Sequence, residues 1–192
     1  FVFEADESDR SFLRFRPDFA IVTNETPDHF PEDETLRLFA EFKGGVRERV
    51  VEGLPDDFAV LASPSPWKSR FRMDGGEWTV ALPGAHNCMN ASQAAMLALA
   101  IGVPEMKVRK ALLTFPGVER RLQRVGRTPG GALVVDDYAH NPAKLAAAIT
   151  TVKGCCGSVA VMWRPHGYAP LRKMLGALAA AFADGLGPGD VL

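Results

Sequence analysis

Carboxylates, imidazoles and amides gather at a few points of this 192-residue chain, each just after a short apolar run. Phe1-Val2-Phe3 leads into Glu4-Ala5-Asp6-Glu7-Ser8-Asp9, and Ile21-Val22 leads into Thr23-Asn24 and then Asp28-His29. Val134-Val135 leads into Asp136-Asp137-Tyr138-Ala139-His140-Asn141-Pro142, and Val161-Met162 into Arg164-Pro165-His166. In open α/β sheets ligands collect beyond the carboxyl ends of the strands, so these exits are where chemistry is expected. The residue types suit a charged, oxygen-rich ligand: carboxylates hold hard cations, and arginine makes charge-assisted bonds to phosphate. Asn87 and Asn90, three apart, put two amides on one face of a helix start, where they can read a donor and acceptor edge. Each residue alone has a plainer use. The acidic block is a solvated loop, Asp136-Asp137 and the two asparagines are helix caps, and a single histidine packs or caps.

The elements that must position these groups alternate. Residues 18–24 read as a short buried parallel strand, and residues 31–42 follow with helical spacing of Leu36, Leu38, Phe39 and Phe42. Residues 57–61 form a weaker strand, and 67–73 and 78–82 flank Asp74-Gly75-Gly76 as a hairpin. Residues 87–100 make an Ala- and Met-rich helix closed by Gly102, and 104–113 a second helix opened by Pro104. Gly126, Pro129, Gly130 and Gly131 mark a hinge. A further strand–helix series then runs through 132–135, 142–152, 158–162 and 170–183. Strands alternating with helices predict an α/β fold built on parallel sheets.

Composition narrows the function. Hydrophobic residues at 47% against 23% charged describe a chain that folds, and 22 Lys+Arg against 23 Asp+Glu leave a formal net charge of −1. No whole-chain electrostatic footprint for nucleic acid or an anionic membrane exists, so an anionic ligand must be held locally. No run of about eighteen apolar residues occurs and the first residues do not read as a signal peptide, which predicts a cytoplasmic protein. Cys88, Cys155 and Cys156 lack the spacing of a disulfide framework or zinc site and read as reduced thiols. Phe1-Val2-Phe3 looks like the tail of a buried strand, and Gly187-Pro188-Gly189-Asp190-Val191-Leu192 like a turn into another. Both ends are therefore read as internal to a longer protein.

Four ordered blocks together resemble the Mur ligase family, nearest its alanine-adding branch. They are Glu4 to Asp9 with Asp28-His29, Pro83-Gly84-Ala85-His86-Asn87-Cys88-Met89-Asn90, Phe115-Pro116-Gly117-Val118-Glu119-Arg120-Arg121, and Asp136 to Pro142. The resemblance implies an α/β fold: a parallel-sheet central ATPase domain over 1–119 lacking its phosphate loop, then the start of a Rossmann-like C-terminal domain over 120–192. It implies ATP-dependent amide formation between the carboxylate of a UDP-N-acetylmuramate-type nucleotide sugar and a small amino acid, through an acyl phosphate, in peptidoglycan precursor synthesis. ATP and Mg2+ are the implied cofactors; nucleic acid and membrane are not implied partners. By the same resemblance Glu4 and His29 hold the metal, Asn87 and Asn90 meet adenine, Arg121 meets phosphate and Asp137 the ribose. Glu4, His29 and Arg121 are then the catalytic set, and His140, His166 and Arg172 line the amino-acid side. Asp136 to Pro142 also fits relatives that add other amino acids, so the amino acid stays open. No Gly-Lys pair, and hence no Gly-x-x-x-x-Gly-Lys-[Ser/Thr] loop, occurs in the 192 residues, so the chain alone is expected to be inactive. A muropeptide-recycling or folylpolyglutamate-type ligase, and a non-catalytic nucleotide- or partner-binding module, are the alternatives.

Overall fold

The computed structural model describes every residue except Asp28, Pro64 and His166, and the side chain of Pro170. A 3-10 turn at Ser11–Arg14 precedes β1 (Phe19–Val22), α1 (Glu32–Gly44) and β2 (Arg49–Glu52). β1 and β2 are parallel, with Ala20 opposite Val50, and the crossover is α1, as parallel pairing requires. Alternate residues of β1 point inward, so Ala20 and Val22 pack with Phe12, Leu38 and Phe42 in one apolar cluster.

An antiparallel sheet follows, made of β3 (Ala59–Leu61), β4 (Ser69–Met73) and β5 (Gly76–Val80). The hairpin is tight because Asp74 and Gly75 both take positive φ, 50° and 72°, which matches the twist of the flanking strands. Asp57 fixes this turn from outside, its carboxylate accepting from the backbone N–H of Asp74 at 2.9 Å and of Gly75 at 2.8 Å. Phe71 stands opposite Trp78 across the strands. Both are buried with Met73, Val80, Cys88, Ala95 and Val108 beneath α2 (Ala85–Ala100) and α3 (Glu105–Thr114). Buried Gln93 of α2 reaches the other sheet, its Nε2 donating to the carbonyl of Val22 at 3.4 Å and of Gly53 at 3.2 Å.

The chain then enters β6 (Gln123–Arg127), antiparallel to β7 (Leu133–Asp136), with α4 (Pro142–Cys155) and α5 (Tyr168–Gly185) packed together over a third cluster. Ala139, Leu145, Ile149 and Leu178 are its buried members. Among the described residues no helix is long and apolar enough to cross a membrane.

Two expected strands are corrected. Phe1–Phe3 is exposed and belongs to no strand among the described residues; the Phe3 ring lies 4.7 Å from that of Phe15. An apolar run becomes a strand only where a partner edge completes its ladder. Residues 158–162 likewise form no named strand among the described residues and make one parallel bridge, Ala160 with Val191. β2 and β6 were not expected from the sequence: Arg49, Glu52, Gln123, Arg124 and Arg127 make them too polar to read as strands.

Candidate functional site

The acidic block folds back on itself. Asp6 accepts from the backbone N–H of Ser8 at 2.7 Å and Asp9 from that of Ser11 at 2.8 Å, and bonding from these serines holds both carboxyls below the usual range. The Arg10 N–H closes the turn on the Glu7 carbonyl at 2.9 Å. The folded turn presents Glu7 to His29, with Oε1 2.9 Å from Nδ1. Ligating atoms of Asp6, Glu7 and His29 lie within 4.8 Å of one another. Glu4, three residues upstream in the extended lead-in, is exposed and lies outside this group. The acid that meets His29 is therefore Glu7, and nothing in residue type or spacing separated it from Glu4. Two carboxylates supply the hard oxygen donors that Mg2+ prefers, and the neighbouring imidazole adds a nitrogen donor, so the set fits a divalent cation.

A second group gathers at the start of α2. Gly84 has φ 99°, a region that favours glycine, and a Cβ there would stand 2.9 Å from Oγ1 of Thr151 in α4. Asn87, half-buried, donates from Nδ2 to the Pro83 carbonyl at 2.7 Å, tying down the first turn, and Asn90 is exposed three residues on. Desolvation holds His86 below the usual imidazole range, against the opposing pull of the Asp137 carboxylate. The beginning of α2 thus meets residues from beyond the hinge.

Those residues form a third group. Arg121 is exposed, and the next residue, Leu122, is buried. Asp137 spans the junction: Oδ2 accepts from the Leu122 N–H at 2.8 Å and Oδ1 from the Ala139 N–H at 2.8 Å. The Tyr138 N–H donates to the Arg120 carbonyl at 2.8 Å, and the Arg120 guanidinium lies 4.5 Å from the Tyr138 ring centre. Half-buried His140 places Nδ1 2.9 Å from the Tyr138 carbonyl, and Asn141 caps α4 by accepting from the Lys144 N–H at 2.9 Å. Arg172 is exposed on α5, and His166 lies outside the described residues. The structure so ties Asp137 to Leu122, the neighbour of Arg121, and sets the α2 start against α4, while Thr151 and Glu7 are participants that the sequence did not single out.

Comparison with known proteins accounts for this arrangement. Residues 120–186 match the "Mur ligase, glutamate ligase domain". A UDP-N-acetylmuramate--L-alanine ligase of Solibacter usitatus is 34% identical over 223 residues, covering 96% of this chain and 47% of that protein. One from an Anaeromyxobacter species is 33% identical over 219 residues, covering 95% of this chain and 48% of that protein. The chain carries a Mur ligase family domain at 120–186. It spans about half the length of the curated Mur ligases it matches. The crystal structure of UDP-N-acetylmuramate-alanine ligase from Thermotoga maritima shares the fold, with TM-score 0.75 and 24% identity over 92% of this chain and 46% of that one. Arg121, Asp137, His140, Thr151 and Arg172 all fall within the matched glutamate ligase domain, whereas His29, Asn87 and Asn90 precede it.

Proposed function

We propose that the chain is the nucleotide-handling part of an ATP-dependent ligase that joins the carboxylate of UDP-N-acetylmuramate to a small amino acid, L-alanine first, in cytoplasmic peptidoglycan precursor synthesis. Residues 1–119 and 120–192 are read as two domains, one ATPase-like and one C-terminal. The observation that carries the reading is the approach of the α2 start to the segment beyond the hinge: Gly84 lies against Thr151 of α4, and the Asp137 carboxylate pulls on His86 from the same side. Amides suited to adenine and a guanidinium suited to phosphate come from either side of one seam, which is where a bridging nucleotide belongs.

In the reaction, the substrate carboxylate takes the terminal phosphoryl group of ATP to give an acyl phosphate and ADP. The amino group of the amino acid then attacks the acyl carbon, forming the amide and releasing phosphate. Arg121 binds phosphate oxygens as charge builds on them, and Asn87 and Asn90 hold the base. Asp137 has both carboxylate oxygens committed to backbone N–H groups, and its remaining lone pairs accept from ribose hydroxyls. Asp6, Glu7 and His29 would hold Mg2+, and Glu4 stays a candidate ligand through the family resemblance. When bound, Mg2+ offsets charge on the transferring phosphoryl group. His140, His166 and Arg172 are assigned to the amino-acid side.

No Gly-Lys pair occurs in the chain, so the 192 residues in isolation bind nucleotide without turning it over. The test is phosphate release by the complete gene product, given ATP, UDP-N-acetylmuramate and alanine, serine or glycine in turn. Release that depends on both the nucleotide sugar and an amino acid is expected. Nucleotide binding with no such release would favour a non-catalytic binding module.

A further inference from the structure

The connection between β5–α3 and β6 makes two left-handed steps on residues that carry side chains, Arg120 at φ 58° and Leu122 at φ 48°, with Arg121 between them. Such steps are disfavoured for any residue with a Cβ and persist only where the surroundings hold them. Each is held here by a named contact. Leu122 is held by burial of its side chain and by its N–H on Asp137. Arg120 is held by its carbonyl on the Tyr138 N–H, and by its own N–H, which donates to Oε1 of Gln123 at 2.9 Å.

Gln123 is the first residue of β6, paired with Asp136, so the carbonyl that receives the Arg120 N–H is anchored to a strand. We propose that Gln123 is a positioning residue: by holding Arg120 in the left-handed region from β6, it fixes the direction in which Arg121 leaves the backbone. A left-handed residue on either side of Arg121 turns the chain so that its exposed guanidinium is presented by a rigid corner and not by a free loop. Presentation by a rigid corner lowers the ordering cost of binding an anion. The direct ligand is Arg121, and Gln123 acts on it only through the backbone of Arg120. The inference rests on the reading that Arg121 meets phosphate.

Two measurements on the 192-residue chain test it. Amide hydrogen exchange, without nucleotide, is expected to speed up at Arg120 in Gln123→Leu and to stay slow in Gln123→Glu, which keeps an acceptor oxygen. Mg-ATP affinity is expected to fall about tenfold in Gln123→Leu, the scale of one lost hydrogen bond, and to remain near wild type in Gln123→Glu. Arg120→Gly added to Gln123→Leu is expected to recover most of the affinity, because glycine takes the left-handed conformation without help. A purely structural role for Gln123 would leave the double variant as weak as the single one, and that result would overturn the proposal. Unchanged exchange at Arg120 in Gln123→Leu would overturn it as well. Wild-type chain that binds no Mg-ATP would overturn the functional reading instead, and exchange at Arg120 would still judge the corner.

Discussion

Nδ1 of His29 stands 2.9 Å from Oε1 of Glu7, so the histidine that follows β1 is oriented by an acid from the turn before it. An imidazole steered by a carboxylate is the usual arrangement around a bound cation, and removing either partner typically costs about 10–100-fold in metal affinity. In the chain, His29→Ala and Glu7→Gln are each expected to weaken Mn2+ binding, used as a spectroscopic substitute for Mg2+, by at least about tenfold. Glu4→Gln is expected to weaken it less than Glu7→Gln does. The opposite ranking of the two acids, read by loss of the free Mn2+ signal, would return the metal to Glu4.

Gly84 faces two obstacles to any side chain. Its φ of 99° strains an L-residue, and a Cβ would lie 2.9 Å from Oγ1 of Thr151 and 2.9 Å from Cε1 of His86. Gly84→Ala is expected to cost about 1–3 kcal/mol in urea unfolding, the range for a residue forced into a sparse backbone region. Thr151→Ala on top of it should return part of that loss and not all, since the φ strain remains.

Gln93 bonds two carbonyls at the ends of the parallel pair, that of Val22, the last residue of β1, and that of Gly53, the first after β2. In Gln93→Leu the shape is nearly kept but both carbonyls lose their donor. The expected destabilisation is about 1–3 kcal/mol, measured by chemical denaturation, with faster proteolysis in the segment that carries Thr23 and Asn24. A stability equal to wild type would show that solvent satisfies those carbonyls unaided.

Asp190 is held down to about 2, first by Lys153, whose Nζ lies 2.6 Å away, and then by the N–H groups of Gly187 and Val159. Its folded value lies below its unfolded one, so its contribution to stability is complete above the ordinary carboxylate value and disappears as pH falls toward 2. Thermal melting of wild type is expected to lose ground to Asp190→Asn over this acid interval, and the gap between the two should be constant near neutrality. A gap that widened below pH 4 would contradict the assignment.

Much of the fold was legible because local rules decided it. The Asp74-Gly75 turn carries its own backbone signature, Pro142 marks the α4 start, though its cap is Asn141 and not the expected Asp136-Asp137, and Gly102 marks the α2 end; the observed helices at 32–44, 85–100, 105–114 and 142–155 follow those signals within a few residues. What was not legible depends on partners distant in sequence. β2 is a strand because β1 offers an edge to Arg49–Glu52, and β6 because β7 does. β3 joins the expected hairpin antiparallel to β4, beside a parallel pair, a placement that alternation of strands and helices does not specify. At the candidate site, residue type pointed to Arg121, Asp137 and His29, which the proposed function uses. It did not point to Glu7, which a turn closed by Asp6 and Ser8 brings to His29, or to Gln123, whose proposed role comes from backbone angles at Arg120.

Cys88 lies sealed between α2 and the hairpin sheet, whereas Cys155 and Cys156 at the end of α4 are only half covered; burial pushes the thiols of both Cys88 and Cys155 up. Brief maleimide pulses therefore divide the chain without engineering: two thiols label in the native protein, and the third labels only when α2 lifts away. The rate of that third labelling is a clock for opening of the hairpin core, readable by mass on the wild-type sequence.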